Sequence, residues 1–591
     1  MLDFDTFLRI PYIDPYNGFD LSPDGTKAAV AWNLSGQWEI YELDLRNVGQ
    51  VANLFKGPGG KFAPRYSPDG TRIAWALDLD GSENFHIVIH DFKTGESRDL
   101  TPSVPYAIQP SFAWSPDGKR IAYLADKNGR FDVFVFDTDG SNDRLLFSPG
   151  GPAYQVKWSP DGRHLAVTAE MEGQNHGTFV VPLDGGEAKR VGGVMDAHYP
   201  AWSPDSKSLA FASNASGWSQ IGVYHLDSGE INWLTNGAHN STTPAFAPDG
   251  KTLAWVRAVG ADTRLEVRRG DGSTHLARTE AGFLHPPRFS PDGESVYFPF
   301  ESPCHPVDLW RYNVVSETFE AVTRSLPPEL KADDFIMPEE ITYPGLDGTP
   351  VPAILYKPKN AGPHNPGVVY IHGGPTWHIS FLWYPIMSHM AARGWTVIAP
   401  NYRGSTGYGL AWQTANRFEL GRLDSDDCAA AAFYLAKSGL ADPAKIGVTG
   451  RSHGGYLTMT CLTRNPELFA VGSAVVPFLN WFTGHENSRD DLQHWDIENM
   501  GDPTTNRDLW HERSPYFHLD RIEAPVQLIC GETDPRCPAS ESLAARDKLV
   551  ELGREVELLL YKNEGHAFLD VNNVVDSEVK RVAFLAKALE A

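Results

Sequence analysis

Ser452 lies in a segment whose residue types and spacing suit nucleophilic catalysis. The segment KIGVTGRSHGGYLTM runs from an apolar strand pattern, through Gly-Arg-Ser-His-Gly, into a helix pattern. In this strand–turn–helix context a serine hydroxyl is lifted above a sheet, at the start of the following helix. Gly450 and Gly454 flank the serine because so tight a turn leaves no room for Cβ atoms. We therefore predict that Ser452 is a catalytic nucleophile.

A serine hydroxyl needs a base, and the base needs an acid that orients it. Asp534 stands just past the strand pattern PVQLICGE, and His566 stands in a loop after the strand pattern EVELLLY. This is the chain order Ser, Asp, His of α/β-hydrolases. Both positions follow the carboxyl end of a strand, where open α/β sheets bind ligands. We predict Asp534 as the acid and His566 as the base. The competing residues, of which the histidines precede the acid and are out of order, are Asp520, Glu532, His511 and His518.

Backbone N–H groups must stabilise the oxyanion that forms when a carbonyl is attacked. One donor is expected from the residue after the nucleophile, His453. The second is expected from the loop I-H-G-G-P after an early strand, where Gly373 or Gly374 brings an N–H close to the substrate. We favour Gly374.

The elements that must position these residues follow from the pattern after residue 327. Apolar strand patterns alternate there with longer helical patterns, which predicts a parallel sheet with helices on both faces. The predicted strands are GVVYIHGG, WTVIAPNY, KIGVTG, AVGSAVV, PVQLICGE and EVELLLY. The predicted helices include DCAAAAFYLAKSG, GGYLTMTCLTRN and SESLAARDKLVELG.

The first half of the chain is a repeat. Seven copies of an aromatic or apolar residue followed by Ser-Pro-Asp-Gly, or a close variant, have their prolines at 23, 68, 116, 160, 204, 248 and 291. Pro, Asp and Gly in this order are turn residues, and the alternating residues that follow indicate half-buried strands. Each unit offers about four short strands in ~44 residues, the size of one propeller blade.

We therefore predict a seven-bladed β-propeller followed by an α/β-hydrolase domain. The predicted boundaries are an N-terminal extension over residues 1–13, the propeller over 14–326 and the catalytic domain over 327–591. The segment SLPPELKADDF forms the predicted linker. The repeated aspartates are interpreted as turn residues and the repeated aromatic residues as packing between blades.

Composition excludes several classes of protein. The 591 residues carry a net charge of −24, which argues against a nucleic-acid partner because phosphate neutralisation needs clustered cations. The five cysteines lack zinc or disulfide spacing and suggest reduced thiols in a cytoplasmic protein. The start, MLDFDTFLRI, has no signal-peptide pattern, and no apolar run is long enough for a membrane span. We expect no membrane partner, no cofactor and no metal.

The motifs HGGP, NYRGSTGYG, GRSHGGY, D-x-R-x-P and NEGHAF together resemble the prolyl oligopeptidase family of serine peptidases. Within it, the chain is most similar to acylaminoacyl peptidases, which release a blocked N-terminal residue from short peptides. The resemblance implies a short peptide or acylated amino acid as substrate, with the propeller restricting access. It also implies that Arg536, the Arg of D-x-R-x-P, binds a substrate carbonyl. The alternative for Arg536 is an ion pair with a carboxylate.

Several functions stay open on the sequence alone. No Glu-Glu pair occurs between residues 14 and 326, which disfavours a dipeptidyl peptidase of this family, although a single Glu could still serve an aminopeptidase. An esterase or amidase would use the same Ser-His-Asp residues. An inactive propeller–hydrolase scaffold is the remaining alternative. Related enzymes range from monomers to large rings, so a homo-oligomer is also open.

Overall fold

The structure, a computed structural model, describes residues 3–16, 18–47, 49–277 and 280–591. Each repeated Ser-Pro-Asp-Gly phrase forms a tight turn that leads into a strand. In the first copy the Ser22 hydroxyl donates to Asp24 over 2.6 Å, and the same Asp24 oxygen accepts the Thr26 N–H over 3.0 Å. Gly25 takes a φ of 69°, which glycine adopts without steric cost. The expected role of the repeated aspartates as turn residues is confirmed.

Seven sheets follow one another along the first half of the chain, each built from one continuous stretch. Blade by blade, the strands are β1 (Phe19–Leu21), β2 (Lys27–Trp32), β3 (Glu39–Asp44) and β4 (Val51–Phe55); β5 (Gly60–Tyr66), β6 (Arg72–Asp78), β7 (His86–Asp91) and β8 (Glu96–Asp99); β9 (Ile108–Trp114), β10 (Arg120–Ala125), β11 (Asp132–Asp137) and β12 (Arg144–Phe147); β13 (Ala153–Trp158), β14 (His164–Glu170), β15 (His176–Pro182) and β16 (Lys189–Arg190); β17 (His198–Trp202), β18 (Ser208–Ser213), β19 (Gln220–His225) and β20 (Ile231–Trp233); β21 (Ser241–Phe246), β22 (Leu253–Val259), β23 (Asp262–Arg268) and β24 (Thr274–Ala277); β25 (Phe283–Leu284), β26 (Arg288–Phe289), β27 (Ser295–Ser302), β28 (His305–Asn313) and β29 (Thr318–Ala321). The predicted seven-bladed propeller is confirmed.

The repeated aromatic residues join neighbouring blades. The indole N–H groups of Trp114, Trp158 and Trp202 each donate to a backbone carbonyl of the preceding blade, over 3.1, 3.0 and 3.3 Å. Blade 7 meets blade 1 through an ion pair of 2.9 Å between Arg288 and Asp20. Side-chain packing and polar contacts therefore close the ring.

The second half contains one eight-stranded sheet. Its strands are β30 (Glu339–Pro344), β31 (Pro350–Tyr356), β32 (Gly367–Ile371), β33 (Thr396–Pro400), β34 (Ile446–Arg451), β35 (Val471–Val475), β36 (Val526–Gly531) and β37 (Val556–Tyr561). Their order across the sheet is β30-β31-β33-β32-β34-β35-β36-β37. The last six strands in the chain pair in parallel, at the predicted positions. The antiparallel β30 and β31 were not predicted.

Helices cover this sheet, as expected of an α/β-hydrolase domain. They are α1 (Phe4–Leu8), α2 (Pro385–Ala392), α3 (Leu410–Gln413), α4 (Leu423–Lys437), α5 (His453–Arg464), α6 (Trp481–Asn487), α7 (Asp490–Met500), α8 (Arg507–Arg513), α9 (Ala539–Glu551) and α10 (Val571–Leu589), with 3₁₀ turns at Ala332–Asp334, Pro466–Leu468 and Pro515–Arg521. No helix in the described ranges has the length and apolarity to cross a bilayer.

The short helix α1 precedes the propeller in the chain but packs on the hydrolase domain. Phe7 stacks on Phe335 at 5.2 Å, and Phe4 stacks on His389 of α2 at 3.8 Å. Of the predicted N-terminal extension, residues 1 and 2 lie outside the described part of the chain. The extension thus returns to the second domain, which the repeat pattern did not indicate.

The turn between the second and third strand of successive blades faces the hydrolase domain. The Gly173 N–H donates to the Glu498 carboxylate over 2.7 Å, and the Gly217 carbonyl accepts the Leu410 N–H over 2.8 Å. The Ala261 carbonyl likewise accepts the N–H of Phe381 over 3.0 Å. One end of the propeller therefore covers this side of the hydrolase domain.

A lower pH should weaken the packing of α1 on the hydrolase domain, because Phe4 of α1 stacks on His389. Burial, with Arg393 nearby, lowers the pKa of His389 from its usual 6.5 to about 4. Between pH 6.5 and about 4 the unfolded chain therefore takes up a proton that the folded chain does not, so stability falls as the pH falls. We expect His389→Gln to reduce the loss of hydrolase-domain stability between pH 7 and pH 5 by about 2 kcal/mol.

The measurement is the thermal unfolding midpoint at both pH values. The control is His364→Gln, which changes an exposed histidine of the same domain and should leave the pH-induced shift unchanged. An equal shift in His389→Gln and wild type would contradict the explanation.

Candidate active site

Ser452 stands between β34 and α5 with a backbone conformation that L-residues rarely adopt. Its φ is 58°. A Cβ on Gly454 would lie 2.1 Å from the Ile371 carbonyl oxygen, and one on Gly450 would lie 2.4 Å from the Gly454 carbonyl oxygen. At both flanking positions any residue larger than glycine would clash with a backbone carbonyl, as expected from the sequence. The turn has the form of a nucleophile elbow.

His566 and Asp534 lie in contact. The His566 Nδ1 is 2.9 and 3.1 Å from the two Asp534 carboxylate oxygens, and the aspartate side chain is fully buried. One of those oxygens also accepts the backbone N–H groups of Arg536 and Cys537, over 2.8 and 2.9 Å. Burial acts to raise the pKa of Asp534, but His566 and these N–H groups outweigh it and hold the pKa below its usual value. The carboxylate is thus ionised beside the imidazole, as an orienting acid needs to be.

The loops that carry the acid and the base are joined through Glu564. Its backbone carbonyl accepts the N–H of Thr533 over 3.0 Å and the Thr533 hydroxyl over 2.9 Å. Its buried carboxylate accepts the N–H groups of Leu569 and Asp570 over 2.6 and 3.2 Å. Arg451, the residue before the nucleophile, donates to the carbonyl of His566. These contacts fix the two loops relative to each other and to the elbow.

Cys537 lies against the nucleophile. Burial, and then the nearby Asp534, raise the pKa of its thiol well above the usual value, while a hydrogen bond with Ser452 acts in the opposite direction. A buried thiol that stays protonated is a poor nucleophile. The role of Ser452 as the nucleophile stays a prediction.

The glycine pair of the H-G-G-P loop reaches the elbow. A Cβ on Gly373 would lie 2.9 Å from the Arg451 carbonyl oxygen and 3.2 Å from the Ser452 Cβ. Gly374 has a φ of 125°, a conformation that favours glycine. His453 is the first residue of α5, where backbone N–H groups have no partner within the helix. The structure thus brings the glycine pair to the elbow at Gly373, and the roles of Gly374 and His453 as oxyanion donors stay predictions.

Arg536 is paired with a carboxylate of the propeller. Its Nε lies 2.8 and 2.9 Å from the two carboxylate oxygens of Glu83, in the turn between β6 and β7. Arg489 approaches the same carboxylate at 3.6 Å and also pairs with Asp491 at 2.7 Å. The ion pair that the sequence analysis kept as the alternative for Arg536 is therefore present, with a partner from the other domain.

The turn that carries Glu83 also touches the catalytic loops. The Thr533 hydroxyl donates to the Asp80 carbonyl over 2.7 Å. A Cβ on Gly565 would lie 1.6 Å from the Gly81 carbonyl oxygen. The role of this turn could not be predicted from the sequence, because its partners lie more than 400 residues away in the chain and no local pattern marks it.

A buried pair of side chains that the sequence did not predict lies next to the elbow. The side chain of His453 places Nε2 3.1 Å from an Asp424 carboxylate oxygen, and both side chains are buried. Arg403 pairs with Asp427 at 2.6 Å and with Asp347 at 2.7 Å. The buried carboxylates of Asp424 and Asp427 thus hold α4 against the site.

A cavity of about 1300 Å³ runs from the middle of the propeller to the hydrolase domain. On the hydrolase side its wall includes Thr376 and Trp377, which follow the glycine pair, and Tyr408. On the propeller side, aromatic and polar side chains from several blades form the wall. The cavity therefore ends beside the H-G-G-P loop.

Comparisons with known proteins fit this geometry. Residues 381–591 match the model of the prolyl oligopeptidase family, and residues 19–155 and 148–310 match the model of the TolB β-propeller domain. The uncharacterized peptidase YuxL of Bacillus subtilis (strain 168) is 28% identical over 303 residues, which cover 50% of this chain and 45% of YuxL. Acylamino-acid-releasing enzyme 2 of Oryza sativa subsp. japonica is 28% identical over 234 residues, 37% of this chain and 30% of that enzyme. The matches thus span less than half the length of these relatives.

The whole fold has a close structural counterpart. A puromycin-hydrolyzing peptidase of Mycobacterium tuberculosis superposes with a TM-score of 0.85 over 99% of this chain and 96% of that one, at 23% identity. At this identity the likeness shows the fold, two domains in the same order, and nothing about substrate.

The nucleophile assignment can be tested without a known substrate. A fluorophosphonate probe reacts with activated serines, so we expect it to label the wild-type chain and to leave Ser452→Ala unlabelled. His566→Ala should label far more slowly, because the base that activates the hydroxyl is gone. Ser488→Ala, which changes a serine that follows α6, is the control. Labelling of Ser452→Ala at the wild-type rate would refute the assignment.

Proposed function

We propose that this chain, whose residues 381–591 belong to the prolyl oligopeptidase family, is a serine peptidase that hydrolyses short peptides and releases N-acylated amino acids. The observation that carries the proposal is the contact of 2.9 Å between His566 and a buried Asp534, in loops joined to the elbow of Ser452. A serine, a histidine and a buried aspartate are the catalytic triad of acyl-enzyme hydrolases.

The proposed reaction has two acyl transfers. His566 takes the proton of the Ser452 hydroxyl, whose oxygen attacks the scissile carbonyl carbon. The N–H groups of Gly374 and His453 stabilise the resulting oxyanion. The C–N bond then breaks as His566 gives its proton to the leaving amine, and water repeats the sequence on the acyl-enzyme. Asp534 keeps the imidazole in the required tautomer.

The propeller supports a preference for short substrates. Its turns lie on the loops of the hydrolase domain, and the cavity between the two domains ends at Thr376 and Trp377, which follow the glycine pair. A folded protein does not fit a cavity of about 1300 Å³, whereas a short peptide does. The propeller therefore acts as the size filter of the proposed peptidase.

The ion pairs around Glu83 favour a blocked over a free N-terminus. In an aminopeptidase, the second candidate, Glu83 would hold the protonated amine of the substrate. Its carboxylate is instead engaged by the guanidinium groups of Arg536 and Arg489, which an amine would have to displace. A neutral acyl group needs no such displacement, and the Arg536 N–H groups that do not face Glu83 suit a carbonyl oxygen.

A matched substrate panel separates the candidates. We expect N-acetylaminoacyl anilides to be hydrolysed with a higher kcat/KM than free aminoacyl anilides of the same residue, and acyl esters to be turned over by the same serine. The Ser452→Ala variant serves as the blank in every assay. A preference for the free aminoacyl series would favour the aminopeptidase, and ester hydrolysis without peptide cleavage would overturn the peptidase proposal.

Arg536 and Glu83 should affect substrate binding more than turnover. Arg536→Gln removes a charged hydrogen-bond donor, and we expect the KM for an N-acetylaminoacyl anilide to rise about tenfold or more with a smaller change in kcat. Glu83→Gln keeps a hydrogen-bond acceptor for Arg536 and should raise the KM less.

The control is Arg546→Gln, which changes an arginine of α9 that pairs with its neighbour Asp547. We expect its kinetic constants to equal those of wild type. A lower KM for free aminoacyl anilides in Arg536→Gln would show instead that Arg536 blocks an amine-binding Glu83.

A further inference from the structure

Three side chains that ligate metals well gather in the wall of the propeller, apart from the proposed catalytic residues. Asp196 has one carboxylate oxygen 3.0 Å from the His198 Nδ1 and the other 3.5 Å from the His176 Nδ1. One ligand atom from each of the three residues lies within 4.8 Å of the other two. All three residues line the cavity of about 1300 Å³.

Neighbouring blades bring the three residues together. His176 begins β15 of blade 4, and His198 begins β17 of blade 5. Asp196 stands two residues before β17, in the connection between the blades. The site therefore exists only when the two blades are packed, because His176 lies 20 residues before Asp196 in the chain.

The spacing of the three groups fits a single small cation. Two ligands on a tetrahedral zinc ion with bonds of about 2.0–2.1 Å stand about 3.3 Å apart. The two histidine Nδ1 atoms stand 3.0 and 3.5 Å from different oxygens of the one Asp196 carboxylate, near that value, and one ligand atom of each residue lies within 4.8 Å of the other two. We propose that His176, Asp196 and His198 bind a divalent transition-metal ion of the zinc class in the wall of the cavity.

The carboxylate of the proposed site is held in place. One oxygen accepts the backbone N–H of His176 over 2.9 Å, and the other accepts that of Asn214 over 3.1 Å. Supporting contacts of this kind orient the ligands of known metal sites. Glu170, the strand partner of His176, adds a second carboxylate to this wall.

The site leaves room for an exchangeable ligand. The Asp196 side chain is 2% exposed, whereas His198 and His176 are 14% and 34% exposed, toward the cavity. A metal with three protein ligands keeps an open position, in contrast to a closed structural site with four. Tyr154 and Tyr199 stand beside the two histidines, with ring centres 5.2 and 4.7 Å away. Water or a carboxylate from a cavity-bound molecule would fill the open position.

Cobalt binding by the full-length chain tests the proposal. The protein is treated with a chelator, titrated with Co²⁺ and followed by visible d–d absorption, and Zn²⁺ is then added as the competitor. We expect one Co²⁺ per chain, displaced by Zn²⁺. In His176→Gln and in His198→Gln the affinity should fall at least about tenfold. The control is His225→Gln, which changes a histidine at the end of β19 that hydrogen-bonds Ser208 and Asn232, and it should bind as wild type does.

A thermal measurement separates lost binding from lost folding. Without metal, the two variants should unfold at the wild-type midpoint, and added Zn²⁺ should raise the midpoint of wild type and of His225→Gln only. The proposal is overturned if the wild-type chain takes up no Co²⁺ saturably, or if both variants bind it with wild-type stoichiometry and affinity. Neither result depends on hydrolysis, so the test is independent of the proposed peptidase activity.

Discussion

The backbone of the propeller and the backbone of the hydrolase domain touch one residue before His566. The Gly81 carbonyl oxygen occupies the place that a side chain on Gly565 would need, and Thr533 of the acid loop donates to the neighbouring Asp80 carbonyl. The loops of the proposed acid and base are thus packed between their own sheet and a blade of the other domain. The position of these loops therefore depends on how that blade packs against them. A side chain at Gly565 would push the two backbones apart.

The turn at Ser452 differs from these loops, because contacts within the hydrolase domain alone hold its backbone conformation. A φ of 58° at Ser452 costs on the order of 1–3 kcal/mol, which the surroundings must offset. They do so through β32, whose carbonyl groups close over Gly454, and through the buried pair of His453 and Asp424. The predicted nucleophile is therefore fixed by one domain, whereas the loops of the predicted acid and base, and Arg536, have contacts with both domains.

Much of this could be predicted from the sequence because the signals are local. The Ser-Pro-Asp-Gly turns depend on contacts within five residues, and the six parallel strands are apolar runs bounded by turns. The contact of His566 with Asp534 follows from the carboxyl ends of two neighbouring strands. The return of α1 to the second domain and the pairing of Arg536 with Glu83 depend on partners that are distant in the chain. Residue types and spacing do not encode those partners, so only the folded structure reveals them.

The repeat itself helps to identify residues that serve something other than the fold. Each blade needs its turn residues and its inter-blade aromatic residues, and hydrogen bonds within the turns and between blades account for both. Glu83 lies outside the repeated phrase, and its side chain reaches across to the other domain. His176, Asp196 and His198 likewise lie outside the repeated phrase, yet they converge on one wall of the cavity. Polar groups that a repeat does not require, and that meet only when blades pack, are the ones for which a chemical role needs to be sought.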